Sequence, residues 1–368
     1  MVLDGYASKM AQEMERRAGD WFDSSDRAQG VGSRHHTVPM FFLKRFACGK
    51  TILVRDRATG ATSTRSISDL AIKNFYTVVG HDGELDGRLE QALCWVEGNA
   101  ASLLTRLLSP FRVPKPLSWE DSLNLAQFLA FQIVRGTRRR REIELLADYS
   151  VKLRVDGVPG YEAAQRAVIV PHPNEHLRTI CTLSERLTEY IASRPLTHVI
   201  IDQPLFITCD EPVLNSFVEE HFKHLPSCDV TQKQRKRRAR KARQRKEHSR
   251  ETIHIYPTRP SGVAVAEEVA IAASPSSLLL LGGINQSAPP EVLLRGSEAA
   301  ELADEVNRLL IEQAYDWVAA HPDHPTFRSF VFPAPGPILK VCDGGTAIAK
   351  SLAKAPEPRR PQRLRRDW

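Results

Sequence analysis

Two long stretches with an apolar stripe, 85–108 and 118–153, constrain the fold of this chain more than any other feature. In the first, Leu89, Leu93, Val96, Ala100, Leu103, Leu104 and Leu107 recur at helical spacing and share one face. In the second, Leu123, Leu125, Phe128, Phe131 and Val134 carry the stripe. Its start, Ser118 with Asp121 three residues on, is close to a capping box, and a break is expected near Gly136. Such helices must bury their stripes against other elements.

Further helices are expected over 175–193 and 297–320. Short strands are expected around the turn Arg57-Ala58-Thr59-Gly60, over 51–56 and 61–67, which makes a hairpin. Others are expected at 74–79, at 199–201 and 205–208 around the Asp202-Gln203 turn, and at 252–256, 263–266, 278–281, 327–332 and 338–341. The fold class that follows is α+β, mainly helical: long amphipathic helices around a small antiparallel sheet and a hairpin. The expected organisation is a helix and linker over 1–32, one globular domain over 33–345 with a basic insert at 232–250, and a disordered basic tail over 346–368.

Of the 368 residues, 42% are apolar, enough for a sizeable core. The net charge of +7 is unevenly placed. The stretch 233–250 holds eleven Lys and Arg against Glu247 alone, a local +10 that leaves −3 for the rest. Six Lys and Arg against Glu357 and Asp367 make 351–368 another +4, so the body stands at −7. Any attraction to nucleic acid therefore rests on the two appendages and not on the globule. Lys233, Arg235, Lys236, Arg237, Arg238, Arg240, Lys241, Arg243, Arg245 and Lys246 are the candidate phosphate contacts, with no aromatic among them for base stacking. The other reading of this run is a solvated loop without a fixed partner.

No apolar run is long enough to span a bilayer, since Glu267 and Glu268 interrupt the best candidate, and no membrane partner is expected. Asp4, Glu13 and Glu15 argue against a secretory signal. Cys48, Cys94, Cys181, Cys209, Cys228 and Cys342 show no CxxC spacing, which fits reduced thiols in a cytoplasmic protein. Oligomeric state is left open.

His35-His36-Thr37-Val38-Pro39 precedes a compact apolar segment with Phe42, Leu43 and Phe46 on one face. Pro39 suits the first turn of a helix. Two imidazoles at such a start read as metal ligand and general base, or as groups that hydrogen-bond the helix start. Adjacent histidines before x-x-Pro also occur in ββα-metal nucleases, with Asn74 and His81 as candidate partners here, but 38 residues from His36 to Asn74 is too long a spacing.

Several motifs in order resemble the domain of unknown function family 4238. They are His36-Thr37-Val38-Pro39 through Leu43 and Phe46, with one residue more than the usual spacing, the hairpin at 53–60, and Asn74-Phe75-Tyr76. Next come a helix with Glu90 and Glu97, then Phe128 with Gln132 and Arg135. Last is Phe206-Ile207-Thr208-Cys209-Asp210-Glu211-Pro212, with Cys209 where the family has serine. The resemblance spans about 35–320 and implies no activity.

Chemistry must come from the residues. Glu90 and Glu97, two turns apart, border the apolar stripe and need partners: an arginine, a metal ion or a proton. Arg135, on an apolar helix one turn from Gln132, bridges to Glu97 or faces a pocket where it would clamp an anion. Asp210 ends a strand, where it is an acid for chemistry or a cap. Cys209 is a conceivable nucleophile with His198 or His36 as base. The leading expectation is a metal-dependent hydrolase acting on a phosphate-containing substrate. His36, Glu97, Arg135 and Asp210 are its catalytic set, and His35, His36, Glu97 and Asp210 its ligands for Mg, Mn or Zn. The alternatives are a non-catalytic nucleic-acid-associated protein and a peptide or small-anion binding domain.

Overall fold

The computed structural model describes residues 35–73, 78–79, 85–86, 88–216, 254–257, 263, 266–283, 287–333 and 339–342. The expected helix over 1–32, the Asn74-Phe75-Tyr76 element, His81, the basic insert and the basic tail lie outside them. The chain divides into two compact units. The first draws on Met1–Arg140, His172–Ser216 and Ala266–Pro333, the second on Arg141–Pro171, Phe217–Val265 and Ala334–Trp368.

In the first unit, β1 (His35–His36) leads through Pro39 into a single helical turn, α1 (Met40–Leu43), and a 3-10 turn (Lys44–Phe46). Phe42, Leu43 and Phe46 are fully buried. The rings of Phe41 and Phe42 lie 5.6 and 6.1 Å from that of Phe128. The opening segment is thus anchored on the second long helix.

Strand β2 (Thr51–Asp56) and β3 (Thr62–Ser66) form the expected hairpin, and β4 (Ile72–Lys73) returns to pair with β1. After the short β5 (Val78–Val79) and β6 (Leu85–Asp86) come α2 (Arg88–Leu107) and α3 (Trp119–Val134). The backbone N–H of Asp121 donates to Ser118 Oγ at 3.1 Å, the cap that the sequence suggests. Apolar positions surround α3 on nearly every side, so it is a core helix, packed on α2 and on α6 (Pro173–Ala192). In sequence, α4 (Thr137–Val155), which runs from the first unit into the second, and the short α5 (Glu162–Arg166) of the second unit separate α3 from α6, with the break at Arg135-Gly136 where it is expected.

The sheets overturn the expectation of a small antiparallel sheet beside a separate hairpin. Strands β7 (Leu196–Ile201), β9 (Val213–Ser216), β11 (Glu268–Ser274), β12 (Ser277–Leu281) and β13 (Glu291–Leu294) form a five-stranded sheet in the order β13-β7-β12-β11-β9. It is antiparallel except for the parallel pair β13–β7. The hairpin is half of a second sheet, β3-β2-β14-β8, in which β8 (Thr208–Cys209) and β14 (Trp317–Ala320) add distant segments. Strands of two or four residues hold no period long enough to read, and partners hundreds of residues away give no local signal.

The last long helix is corrected for the same reason. It is α7 (Gly296–Gln313), and 317–320 is strand rather than helix. The N–H groups of Tyr315 and Asp316 donate to Asp210, 105 and 106 residues earlier, and the helical ladder stops there. Asn307 on α7 donates to Leu205 O at 2.7 Å and accepts from Ile207 N at 3.0 Å, holding the segment before Asp210.

In the second unit, Asp148 accepts from Ile169 N at 2.8 Å and pairs with Lys152 at 2.8 Å. Strands β10 (His254–Pro257) and β15 (Leu339–Cys342) pair antiparallel there. Among the described residues no helix is long and apolar enough to cross a membrane.

Candidate functional site

The opening histidines are on a two-residue strand, and that placement decides what they can do. Successive side chains of a strand point to opposite faces, so His35 and His36 cannot close on one ion from the same side. His35 is buried opposite Lys73, and its Nε2 lies 3.2 Å from Glu90 Oε2 on α2. His36 stands opposite Ile72 and is half-buried. Ala71, between the turn and β4, holds a left-handed φ of 63°, and its carbonyl accepts from Thr37 N at 2.9 Å and Thr37 Oγ1 at 3.1 Å.

Glu97 and Arg135 meet. Arg135 Nη1 donates to Glu97 Oε1 at 2.6 Å, with the arginine side chain 1% exposed and the glutamate 26%. With its amide oxygen turned to the guanidinium, Gln132 accepts from Arg135 Nε at 3.0 Å and also from Nη2. The helix geometry explains this set: Gln132 and Arg135 are one turn apart on α3, and Glu97 comes from the facing surface of α2. Cys94 shares that surface, and burial together with Glu97 and Glu90 pushes its thiol above the usual range, with Arg135 opposing.

The segment 208–212 is a splice between three elements. Asp210 is buried, its Oδ1 accepting from Tyr315 N at 2.9 Å and its Oδ2 from Asp316 N at 2.5 Å. Burial first and the Asp316 carboxylate second push its carboxyl up to about 7, while the two amides pull the other way. Glu211 Oε1 accepts from Arg138 N at 3.0 Å, a charged cap at the start of α4. Its carboxylate lies against the Cα of Gly136, where any side chain would overlap it. Cys209 Sγ donates to Glu211 O at 3.1 Å, and Gln313 Nε2 donates to the carbonyls of Glu211 and Val213. Arg57 donates to Ile311 O at 2.6 Å and feels the charges of Asp210 and Arg138. Lys73 Nζ lies 3.1 Å from Asp316 Oδ2. Lys73 thus links the strand of the opening histidines to the Asp210 splice, and the Arg135-Gly136 step links the Glu97 pair to it.

Each acidic or basic residue of the expected catalytic set is therefore engaged: Glu97 with Arg135, and Asp210 with backbone amides. Among the described residues no group of three or more His, Cys, Asp or Glu could hold a metal ion. The expected ligand set His35, His36, Glu97 and Asp210 does not fit a divalent cation, because its members face different partners or opposite faces. Cys209 and His198 sit in different sheets, and the thiol is engaged by Glu211 O. Asn74, His81 and the cationic run 233–246 lie outside the described residues.

A second polar cluster escaped the sequence reading. Arg112, in the loop after α2, places Nη2 3.0 Å from Glu291 Oε2 and 3.5 Å from His198 Nδ1. Burial, then Arg112, lowers His198 to about 4, with Glu291 opposing, so the ring is neutral at physiological pH. A histidine inside the apolar run of β7 was the available signal. Arg112, in a loop rich in proline, carried none.

The fold and the site define an α+β protein whose polar interior is held by ion pairs and buried caps. The chain belongs to the family described as Protein of unknown function (DUF4238), which matches residues 34–324. No curated protein and no solved structure matches it.

Proposed function

We propose that this protein is a nucleic-acid-associated binding protein. The folded body is the scaffold and the run at 233–246 contacts the phosphate backbone. One observation carries the reading: a local +10 stands on a body of net −7, while inside the body Glu97 and Arg135 neutralise each other and Asp210 is taken up by the backbone N–H groups of Tyr315 and Asp316. A cationic run without aromatics attracts phosphate irrespective of sequence. The free thiols Cys48, Cys94, Cys181 and Cys209 support a reducing compartment, and we assign the cytoplasm.

Fluorescence anisotropy of labelled duplex and single-stranded oligonucleotides tests the reading. Affinity should fall with salt at a slope of about −0.9 per phosphate neutralised on duplex. Deleting 232–250 should abolish binding and leave the melting temperature of the folded body unchanged. Retained affinity in that deletion refutes the proposal.

A second reading, hydrolysis of a phosphate-containing substrate, draws on Asp210. Its carboxyl is pushed up to about 7, where it can give or take a proton near neutral pH, with the Arg57 charge felt by it and Lys73 on the adjacent Asp316. A phosphatase and nuclease screen with Asp210→Asn and His36→Ala tests it. Turnover by wild type that both variants retain removes these residues from any mechanism.

A further inference from the structure

Among the described residues, one edge of the two larger sheets is both apolar and open. β13 pairs with β7 on its inner side and ends the five-stranded sheet. His198 N donates to Pro290 O at 3.1 Å, so the backbone of Pro290 points inward. Backbone groups alternate in direction along a strand. Val292 and Leu294 therefore turn their N–H and C=O to β7, and Glu291, Leu293 and Arg295 turn theirs outward. Arg295 is still extended, at φ −139° and ψ 155°, just before α7 begins. No backbone group among the described residues bonds to these three. The other edges are covered, polar or minimal. Gln313 takes the carbonyl of Val213 on β9, β3 is Thr62-Ser63-Thr64-Arg65-Ser66, and β8 has two residues, both buried. An open apolar edge is a template for another strand.

This edge is complementary to itself. The side chains of Glu291, Leu293 and Arg295 share one face of the strand. Two copies meeting antiparallel about a two-fold axis at Leu293 bring the two Leu293 side chains together, each 52% exposed in the single chain. Glu291 of each copy then stands opposite Arg295 of the other. Opposite charges directly across a strand pair favour it. Arg112 holds Glu291 Oε2, which leaves Oε1 for the cross-strand arginine. All three outward residues of each copy become hydrogen-bonded pairs that exchange both of their N–H···O bonds. Moving the axis to Val292 or Leu294 leaves one outward residue of each copy beyond the other's strand and separates the charges. Phe111 and Val113, on either side of Arg112 in the chain, are 93% and 75% exposed and add apolar surface.

We propose that β13 is a homodimer interface, at which two copies of this chain join edge to edge over 291–295 and their five-stranded sheets become one continuous sheet. So short an edge lies at the low end of interface sizes, so the dimer is reversible, with a dissociation constant in the micromolar range. The interface does not involve the cationic run and stands or falls without it.

Sedimentation velocity of the full chain, treated with nuclease and followed over a concentration series, should show a monomer–dimer equilibrium. Leu293→Pro removes an N–H that points outward, which an edge strand tolerates. Leu293→Lys sets two like charges together on the axis, and Arg295→Glu sets acid against acid. Each should weaken the dimer by about tenfold or more, with the melting temperature of the dilute protein unchanged. Leu293→Lys decides the matter if Leu293→Pro melts lower. Amide hydrogen exchange locates the contact. Glu291, Leu293 and Arg295 should gain protection as concentration rises, while Val292 and Leu294, bonded to β7, are protected at every concentration. A monomer throughout, a dimer that the Leu293 variants keep, or assembly that grows beyond two copies overturns the proposal. A dimer whose three outward amides exchange freely overturns it equally.

Discussion

Replacing Glu97 by alanine should take a counter-charge from the bulkiest fully buried side chain among the described residues. Arg135 is 1% exposed at its side chain and Glu97 is 26% exposed, so the two halves of the pair are not equivalent. Without Glu97 the guanidinium loses the carboxylate at 2.6 Å and keeps the Gln132 amide oxygen, and breaking a buried pair this way costs about 3–5 kcal/mol. Arg135→Met fills the same volume and leaves a carboxylate that can turn to water. Its main cost is the orphaned, 2% exposed Gln132 amide, about 1–3 kcal/mol. The double variant should therefore be more stable than Glu97→Ala alone, with a coupling of about 2 kcal/mol. Trp95 and Trp119 lie on the two helices that carry the pair, so urea titration followed by tryptophan fluorescence reads the right part of the molecule. Equal losses in the two single variants, or simple additivity, would refute a structural pair. A Glu97 held for chemistry alone would leave stability within about 0.5 kcal/mol of wild type.

Three further outcomes follow from the same geometry. Asp210 titrates higher when folded than unfolded, so its contribution is fully present below about pH 4 and is lost as pH rises through about 7. Stability measured against pH should fall over that window relative to Asp210→Asn, and parallel curves would contradict the buried carboxyl. His198 titrates lower when folded, so its contribution is present above pH 6.5 and is lost as pH falls towards about 4; His198→Gln should flatten that limb in thermal melts. Gly136→Ala should push the Glu211 carboxylate off the start of α4, at a cost of about 1–2 kcal/mol, the size of a lost cap. Pairing it with Glu211→Gly should recover part of the alanine's steric cost, and no recovery would mean that the overlap is not the cause.

The helices were legible because each buries a stripe that repeats along its own length. Ser118 and Asp121, the break at Gly136 and the apolar set of α2 are local facts, and they stand where the sequence puts them. The hairpin at 51–66 was equally local. The strands at 199–201, 252–256, 278–281 and 338–341 were legible too, although their partners lie far along the chain. What failed was which strands share a sheet, and some segments whose state distant partners set. The strand at 317–320 reads as the tail of a helix until Asp210 takes the N–H groups of Tyr315 and Asp316. The run at 268–274 is rich in alanine, a weak strand former, and becomes a strand because β9 and β12 flank it on both sides.

The candidate site divides in the same way. By itself the sequence determined that Glu97 and Arg135 needed partners, since a charge bordering an apolar helix face must be answered. It determined that the histidine segment would be pinned by Phe42, Leu43 and Phe46, and that positive charge would be concentrated at 233–250. Only the tertiary structure decided between the Glu97 bridge and an anion pocket for Arg135, turned the paired histidines opposite ways, and made Asp210 and Glu211 the caps of β14 and α4. It alone brought Arg112 to His198. The physical reason is range: periodicity and capping act within a few residues, whereas the partner of a buried charge is chosen by packing across the whole unit.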